Sequence, residues 1–181
     1  HEQGVNVARN AALIAGFPVD VTGTTVNRLC GSSQQAINFA AMGVSSGHQD
    51  LVIAAGVESM SRITMGSDMF LQGEMMTPSP KMSWKYNIIP QGLSAELVAE
   101  RFGLTRAELD AYSYESHQRA AKADDAGKFD REIVGMDVRT EEAGAFAFAN
   151  DEGIRRSTTL DKLSTLKPAF REDGMITAAS S

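Results

Sequence analysis

The sequence contains little cysteine, little positive charge and no long run of apolar residues. One of its 181 residues is cysteine, so the chain cannot form an internal disulfide or a zinc site built from cysteines. No apolar run approaches the roughly 18–20 residues of a membrane helix, so no membrane span is predicted. With 17 basic against 23 acidic residues and no Lys/Arg stripe, the chain lacks the charge pattern of nucleic-acid binding. A content of 43% hydrophobic and 22% charged residues is that of an ordinary globular protein.

The first sixty residues alternate between helical and strand-like patterns. The Ala-rich stretch 4–15 has the apolar spacing of a packed helix, and residues 32–46 predict a helix that is apolar on most faces and therefore buried. The Val- and Thr-rich residues 21–29 and the apolar run 51–55 predict strands on either side of the second helix. Strand, helix and strand in this order predict a βαβ unit with a parallel pair.

The character of the chain changes near Ser59, where we place a domain boundary. Residues 59–90 are rich in Met, Pro and Gly without a clear period, which is typical of a long excursion. Thr105 and Glu108 predict a capping box at the start of a long helix. A largely apolar face of this helix is expected to pack on a neighbouring element, and it consists of Leu109, Tyr112, Ser116, Ala120 and Ala123. This part predicts two helices and two short strands, at 94–102, 106–126, 133–138 and 154–159. Together they indicate a small α+β module.

Cys30 stands where the first predicted strand meets the buried helix. Ser32 and Gln35 predict a capping box that starts this helix. The unpaired N–H groups and the dipole of a helix entrance favour a thiolate, the nucleophilic form of cysteine. From this position alone, a nucleophile and a small packing residue both stay open, because a nucleophilic cysteine also needs a base and an oxyanion hole.

The residues around Cys30 resemble the nucleophile segment of the thiolases. Residues 26–37 read V-N-R-L-C-G-S-S-Q-Q-A-I, where thiolases have V-N-x-x-C-G-S-[GS]-x-Q-A-[IV]. Four further stretches resemble thiolase landmarks in the family's order, at 55–61, 91–96, 116–120 and 151–178. Ketoacyl synthases also place a cysteine at this turn, but five landmarks in order favour the thiolases.

The resemblance implies an α/β, thiolase-like fold in which a βαβ core domain carries an inserted α+β loop domain. Residues 1–59 would be part of the N-terminal core domain, and residues 60–181 would be the loop domain that covers coenzyme A. Cys30 would be the catalytic nucleophile, with its own backbone N–H as one donor of an oxyanion hole. Arg155 would lie along the nucleotide part of coenzyme A; by itself it is equally a solvated neighbour of Arg156.

The resemblance also implies the reaction and the partners. The protein would be an acyltransferase that forms an acyl-cysteine and catalyses thiolysis of 3-ketoacyl-CoA or Claisen condensation of acyl-CoA. Its substrates would be coenzyme A thioesters, with no metal or other cofactor required. It would form a homodimer or homotetramer, while the composition predicts no nucleic-acid partner and no membrane span. Its compartment would be the cytoplasm in a bacterium, with an organelle as the alternative.

Three groups that thiolases use beside the nucleophile are not in this sequence. They are the histidine of a G-H-P motif, the second cysteine of a C-x-G motif and an N-E-A-F segment. The histidines present, His1, His48 and His117, are interpreted as solvated or packing residues. We therefore expect an internal portion of a longer thiolase. The alternatives are a non-catalytic fragment or interaction module, and a ketoacyl-synthase relative.

Overall fold

The chain forms two compact units, divided between Ser79 and Pro80. The computed structural model describes residues 5–71, 73–75, 77–141 and 144–181. The elements of the first unit are α1 (Val7–Ile14), α2 (Ser32–Ser45) and a minimal antiparallel hairpin of β1 (Phe70–Leu71) and β2 (Glu74–Met75). Those of the second are α3 (Pro80–Lys85), α4 (Gln91–Phe102), α5 (Arg106–Asp125), β3 (Met136–Thr140), β4 (Gly144–Phe148) and α6 (Leu160–Ser164).

The predicted domain boundary near Ser59 falls inside the first unit. The assignment of the chain to a core domain and a loop domain stays a prediction. Among the described residues, no helix combines the length and the apolar character needed to cross a bilayer.

In the first unit, the start of α1 fixes the segment that leads to Cys30. Asn6 caps α1 by accepting a hydrogen bond from the Arg9 N–H at 3.2 Å, and its side-chain amide donates to the Gly23 carbonyl at 2.7 Å. The Arg9 guanidinium donates to the carbonyls of Val19 and Val21. Gly23 lies so close to α1 that an added Cβ would be 2.6 Å from the Arg9 nitrogen. The chain therefore enters the Cys30 turn along a fixed path.

The two segments predicted as parallel strands around α2 contain no strand. Residues 21–27 and 51–59 form neither helix nor strand, and the described part of the chain has no β-ladder between them. A high strand propensity means that the side chains suit a half-buried pleated surface. A strand also needs a neighbouring strand whose backbone accepts and donates its hydrogen bonds, and propensity does not supply one. The prediction of a hydrogen-bonded parallel pair within this chain is therefore wrong.

The predicted burial of α2 is also wrong for this chain. None of its residues is buried, and Ile37, Phe39 and Met42 are each about half exposed. The apolar pattern of a helix shows that a face prefers to leave water, but it does not show where the covering element comes from.

The core of the second unit forms where residues 174–177 pack on α4. Glu96 is fully buried, and its carboxylate accepts hydrogen bonds from the N–H groups of Met175 at 2.8 Å and Ile176 at 2.9 Å. These two bonds replace the water that a buried carboxylate loses. An added Cβ at Gly174 would be 2.2 Å from Glu96 Oε1, so this approach requires glycine. The buried residues of the second unit include Ala99, Asp110, Ser113, Leu163, Ile176 and Thr177.

The helix α5 begins at the capping box predicted from Thr105 and Glu108. The Thr105 N–H donates to Glu108 Oε2 at 2.8 Å, and the Glu108 N–H donates to Thr105 Oγ1 at 3.3 Å. The backbone hydrogen bond from Thr105, supported by the Thr105 hydroxyl, lowers the pKa of Glu108 because it favours the carboxylate. This prediction is confirmed.

Of the two strands predicted for the second unit, one is present and the other is wrong. The strand predicted at 133–138 overlaps β3, but β3 pairs with β4 in an antiparallel hairpin, with Met136 opposite Phe148. Gly144, at φ 69°, begins β4 in a conformation that glycine adopts without strain. Residues 154–159 contain no strand and are held by α5 instead.

The helix α5 packs through a polar stripe and not through the predicted apolar face. The stripe consists of Arg106, Asp110, Ser113 and His117, at the spacing of one helix face. Tyr112, which the apolar face included, is 81% exposed. Arg106 binds Asp110 at 2.9 Å and also donates to the carbonyls at the end of α6, so the stripe fastens a neighbouring segment along the helix.

Candidate active site

Cys30 lies exposed at the entrance of α2, immediately before the N-cap residue Gly31. The capping box predicted from Ser32 and Gln35 is wrong, because Ser32 is the first helical residue and the helix has no side-chain cap. The Ser32 hydroxyl is engaged upstream, where it accepts from the Arg28 N–H at 2.8 Å and donates to the Leu29 carbonyl at 2.6 Å. The first-turn N–H groups of α2 are therefore left without a side-chain partner beside the thiol.

The turn that presents Cys30 contains a residue in the left-handed region. Leu29 has φ 50° and is the one non-glycine among the described residues with a positive φ. The Asn27 side chain accepts from the Leu29 N–H at 3.0 Å, and the Gly31 N–H donates to the Arg28 carbonyl at 3.0 Å. A left-handed leucine costs about 1–2 kcal/mol, so these side-chain and backbone bonds hold the turn in a conformation that the chain would otherwise avoid.

The Arg28 side chain and the backbone at Gly56 both contact the first turn of α2. The Arg28 guanidinium donates to Gln35 Oε1 at 2.6 Å, and an added Cβ on Gly31 would lie 3.7 Å from Arg28 Cδ. Gly56, at the end of the 51–55 segment, approaches Ser33 so closely that an added Cβ would be 1.9 Å from its hydroxyl oxygen. The nucleophile landmark and the landmark at 55–61 therefore meet in the structure.

No histidine of the described first unit is placed to act as a base for Cys30. His48 follows the far end of α2, about 20 Å away by the length of a 14-residue helix. His1 lies outside the described residues. In the described ranges, no cluster of three or more His, Cys, Asp or Glu side chains could hold a metal ion. The first unit thus offers an exposed thiol and N–H donors, which suit acyl transfer once a base is supplied.

Arg155 lies in the second unit, in a turn attached to α5. Its backbone N–H donates to His117 Nδ1 at 3.1 Å. Its neighbour Arg156 binds Asp125 at 2.7 Å and also Asp124, and the hydrogen bond to Asp125 is the main cause of its raised pKa. Cys30 and Arg155, the two predicted site residues, belong to different units.

Comparison with known proteins identifies the family. The family model described as "Thiolase, N-terminal domain" matches residues 1–181. The chain belongs to the thiolase family. This thiolase chain is 42% identical to the 3-ketoacyl-CoA thiolase of Bacillus subtilis, over 99% of its own length and 47% of that relative.

Two solved structures share its fold. The acetyl-CoA acetyltransferase of Bacillus anthracis superposes with a TM-score of 0.79 at 37% identity, over 98% of this chain and 46% of that one. Human mitochondrial 3-ketoacyl-CoA thiolase gives a TM-score of 0.79 at 30% identity, covering 98% of this chain and 47% of that one. The α/β, thiolase-like fold class is confirmed, and the chain spans about half the length of the relatives it matches.

The side chains that shape the two predicted sites were not predicted from the sequence. Asn27 and Ser32 build the turn before Cys30, and their only signal in the sequence is the residue type, since Asn and Ser side chains often bond nearby backbone groups. His117 was interpreted as a solvated or packing residue, but it holds the Arg155 backbone. Its only sequence signal was its place in the thiolase-like landmark at 116–120.

Proposed function

We propose that the protein is an acyltransferase of the thiolase type with Cys30 as its nucleophile. The Cys30 thiolate attacks the carbonyl carbon of an acyl group, forming a carbon–sulfur bond while coenzyme A or acetyl-CoA leaves. A second substrate then takes the acyl group, either the thiol of coenzyme A or the carbanion of an acyl-CoA. The observation that carries this proposal is the exposed Cys30 at the uncapped entrance of α2, within a chain of the thiolase family.

The negative charge that develops in this reaction can be stabilised at the entrance of α2. The attacked carbonyl oxygen becomes an oxyanion, and N–H donors held in place before the reaction stabilise it, each by about 3–4 kcal/mol of barrier. Among the described residues, the N–H groups of Ser33 and Gln34 in the first turn of α2 have no hydrogen-bond partner, which favours such a role for them. The base for the thiol and the base for the α-proton would come from outside these 181 residues, on motifs of the G-H-P and C-x-G type.

The substrates we propose are coenzyme A thioesters. Relatives named 3-ketoacyl-CoA thiolase and acetyl-CoA acyltransferase support this class. Arg155 is the proposed contact to the nucleotide part of coenzyme A, because an exposed guanidinium suits a phosphate or an adenine face. The chemistry needs only a thiol, N–H donors and bases, so no metal or further cofactor enters the proposal.

We further propose a homodimer or homotetramer. The first unit exposes large apolar side chains on α2 and on the segment after it, including Phe39, Met42 and Leu51, and association would cover part of this surface. For a bacterial source we propose the cytoplasm. For a eukaryotic source we propose an organelle, since one relative is named as mitochondrial.

The first test is the intact mass of the protein expressed from its own gene, before and after brief exposure to acetoacetyl-CoA. We expect the mass to increase by one acetyl group, and peptide mapping to place that group on Cys30. Neutral hydroxylamine should remove the adduct, since it cleaves thioesters and spares amides.

The matched control is Cys30→Ser, which keeps the size of the side chain and removes the thiolate. This variant should gain no hydroxylamine-sensitive acetyl group. An adduct that stays in Cys30→Ser, or its complete absence from the unsubstituted protein, would contradict the nucleophile assignment and favour a non-catalytic module.

A further inference from the structure

The turn that carries Arg155 is attached to α5 at two points. Upstream, the Arg155 N–H donates to His117 Nδ1 at 3.1 Å, across 38 positions of the chain. Downstream, the Arg156 guanidinium donates to Asp125 Oδ1 at 2.7 Å and also binds Asp124. His117 and Asp124 are two helical turns apart and lie on the same side of α5. The backbone is therefore fixed directly before and directly after the Arg155 side chain.

The two neighbouring arginines have different surroundings. Arg156 is paired with two carboxylates, so its charge is satisfied by the protein itself. The Arg155 guanidinium has no hydrogen-bond or ion-pair partner among the described residues, and the residue is exposed. Because a guanidinium has five donors in a fixed plane, an exposed one with a fixed backbone is suited to bind an anionic ligand.

We propose that His117 is a positioning residue for coenzyme A binding, which acts by holding the backbone of Arg155. The inference rests on the proposed function, because it assumes that Arg155 contacts the nucleotide part of coenzyme A. The hydrogen bond requires an acceptor at Nδ1, so the neutral ring with its proton on Nε2 is the form that fits. Arg156 with Asp124 and Asp125 supplies the second attachment.

An asparagine can replace the hydrogen-bond acceptor of His117, which is Nδ1. The side-chain carbonyl of Asn lies close to the position of Nδ1 and accepts a hydrogen bond, whereas Phe keeps the ring and removes the acceptor. The pair His117→Asn and His117→Phe therefore separates the hydrogen bond from the packing of the ring. If the ring of His117 only packs, His117→Phe should keep KM closer to the original value than His117→Asn.

The test measures kcat and KM of the whole protein with acetoacetyl-CoA and with the acetoacetyl thioester of pantetheine, which lacks the nucleotide. For His117→Phe we expect KM for the coenzyme A substrate to increase about ten-fold with kcat nearly unchanged, which is the signature of lost uniform binding. His117→Asn should restore KM to within about three-fold of the original value. The pantetheine substrate should not distinguish the three proteins.

Arg155→Ala separates failure of this inference from failure of the proposed function. We expect Arg155→Ala to raise KM at least as much as His117→Phe, and the double variant to add nothing further. Arg119→Ala is the matched control, because it removes one positive charge from α5 where Arg119 binds only Glu115 among the described residues. Its KM should not change.

The outcomes are distinct. The positioning role is overturned if Arg155→Ala raises KM and His117→Phe does not, or if KM of His117→Phe stays closer to the original value than KM of His117→Asn. In either case the coenzyme A contact of Arg155 stands. If Arg155→Ala leaves KM unchanged, this inference and the Arg155 contact both fail, while acetylation of Cys30 still tests the nucleophile independently.

Discussion

Ser32 links the two sides of the turn that presents Cys30. Its hydroxyl accepts from the Arg28 N–H at 2.8 Å and donates to the Leu29 carbonyl at 2.6 Å. These bonds join Ser32 to the backbone of Arg28 and of Leu29, the residue in the left-handed conformation. A serine that would ordinarily cap a helix thus fixes the residue before the nucleophile, and the N–H groups of Ser33 and Gln34 have no hydrogen-bond partner among the described residues.

Ser32→Ala should therefore slow acylation of Cys30 more than it destabilises the protein. Loss of these bonds should cost about 1 kcal/mol of unfolding free energy, while misplacing the thiol should lower the acetylation rate about ten-fold or more. Quenched-flow mass spectrometry with acetoacetyl-CoA measures the rate, and urea unfolding measures the stability. Ser33→Ala is the control, since the Ser33 hydroxyl forms no hydrogen bond with another described residue. Equal rates for the two variants would refute this role for Ser32.

At the scale of elements, the sequence predicted the features that depend on nearby residues. The capping box of Thr105 and Glu108 was predictable because both partners lie within one turn. The same pattern failed at Ser32, where the competing partners lie upstream in a turn that local propensity does not describe. For the site, the position of Cys30 at a helix entrance was predictable, whereas the left-handed Leu29 was not.

The features that depend on distant residues were harder to predict. The apolar pattern of α5 suggested an apolar packing face, but the helix uses polar side chains that bind segments 31 to 60 positions away. The strand β3 was predicted without a partner, because period and composition identify a strand without identifying its neighbour. Long-range polar contacts leave no periodic signal in the sequence.

Gly92 in α4 tests the packing of that helix against the end of the chain. The ring of Phe170 lies over Gly92, and an added Cβ would be 2.1 Å from its Cδ1 atom. Replacing a helical glycine with alanine ordinarily stabilises a protein by about 0.5–1 kcal/mol, but overpacking costs about 1–3 kcal/mol. We therefore expect Gly92→Ala to lower the unfolding free energy by about 1–2 kcal/mol, measured by urea unfolding.

The control for Gly92→Ala is the same change in a Phe170→Ala background. Without the ring, alanine at position 92 should be neutral or stabilising, because only its helix propensity remains. A loss of the same size in both backgrounds would show that the cost does not come from Phe170.

At the scale of the whole molecule, the two units differ in how much they bury. Every buried residue of the described chain lies in the second unit, where Glu96, Ala99 and Ile176 are almost fully enclosed. The described first unit contains none, although α2 is rich in apolar side chains. Since helices of fewer than about 12–15 residues are marginal in water, a 14-residue helix without a buried face depends on a covering surface.

Hydrogen exchange on the 181-residue chain by itself should therefore separate the units. We expect amides of α4 and α5 to exchange at least about ten-fold more slowly than those of α2, because opening α2 breaks no buried contact. A dilution series is the necessary control, since protection of α2 that increases with protein concentration would assign its cover to a second copy of the chain. Protection of α2 equal to that of α5 at every concentration would contradict the argument, because the helix would then be stable without any cover.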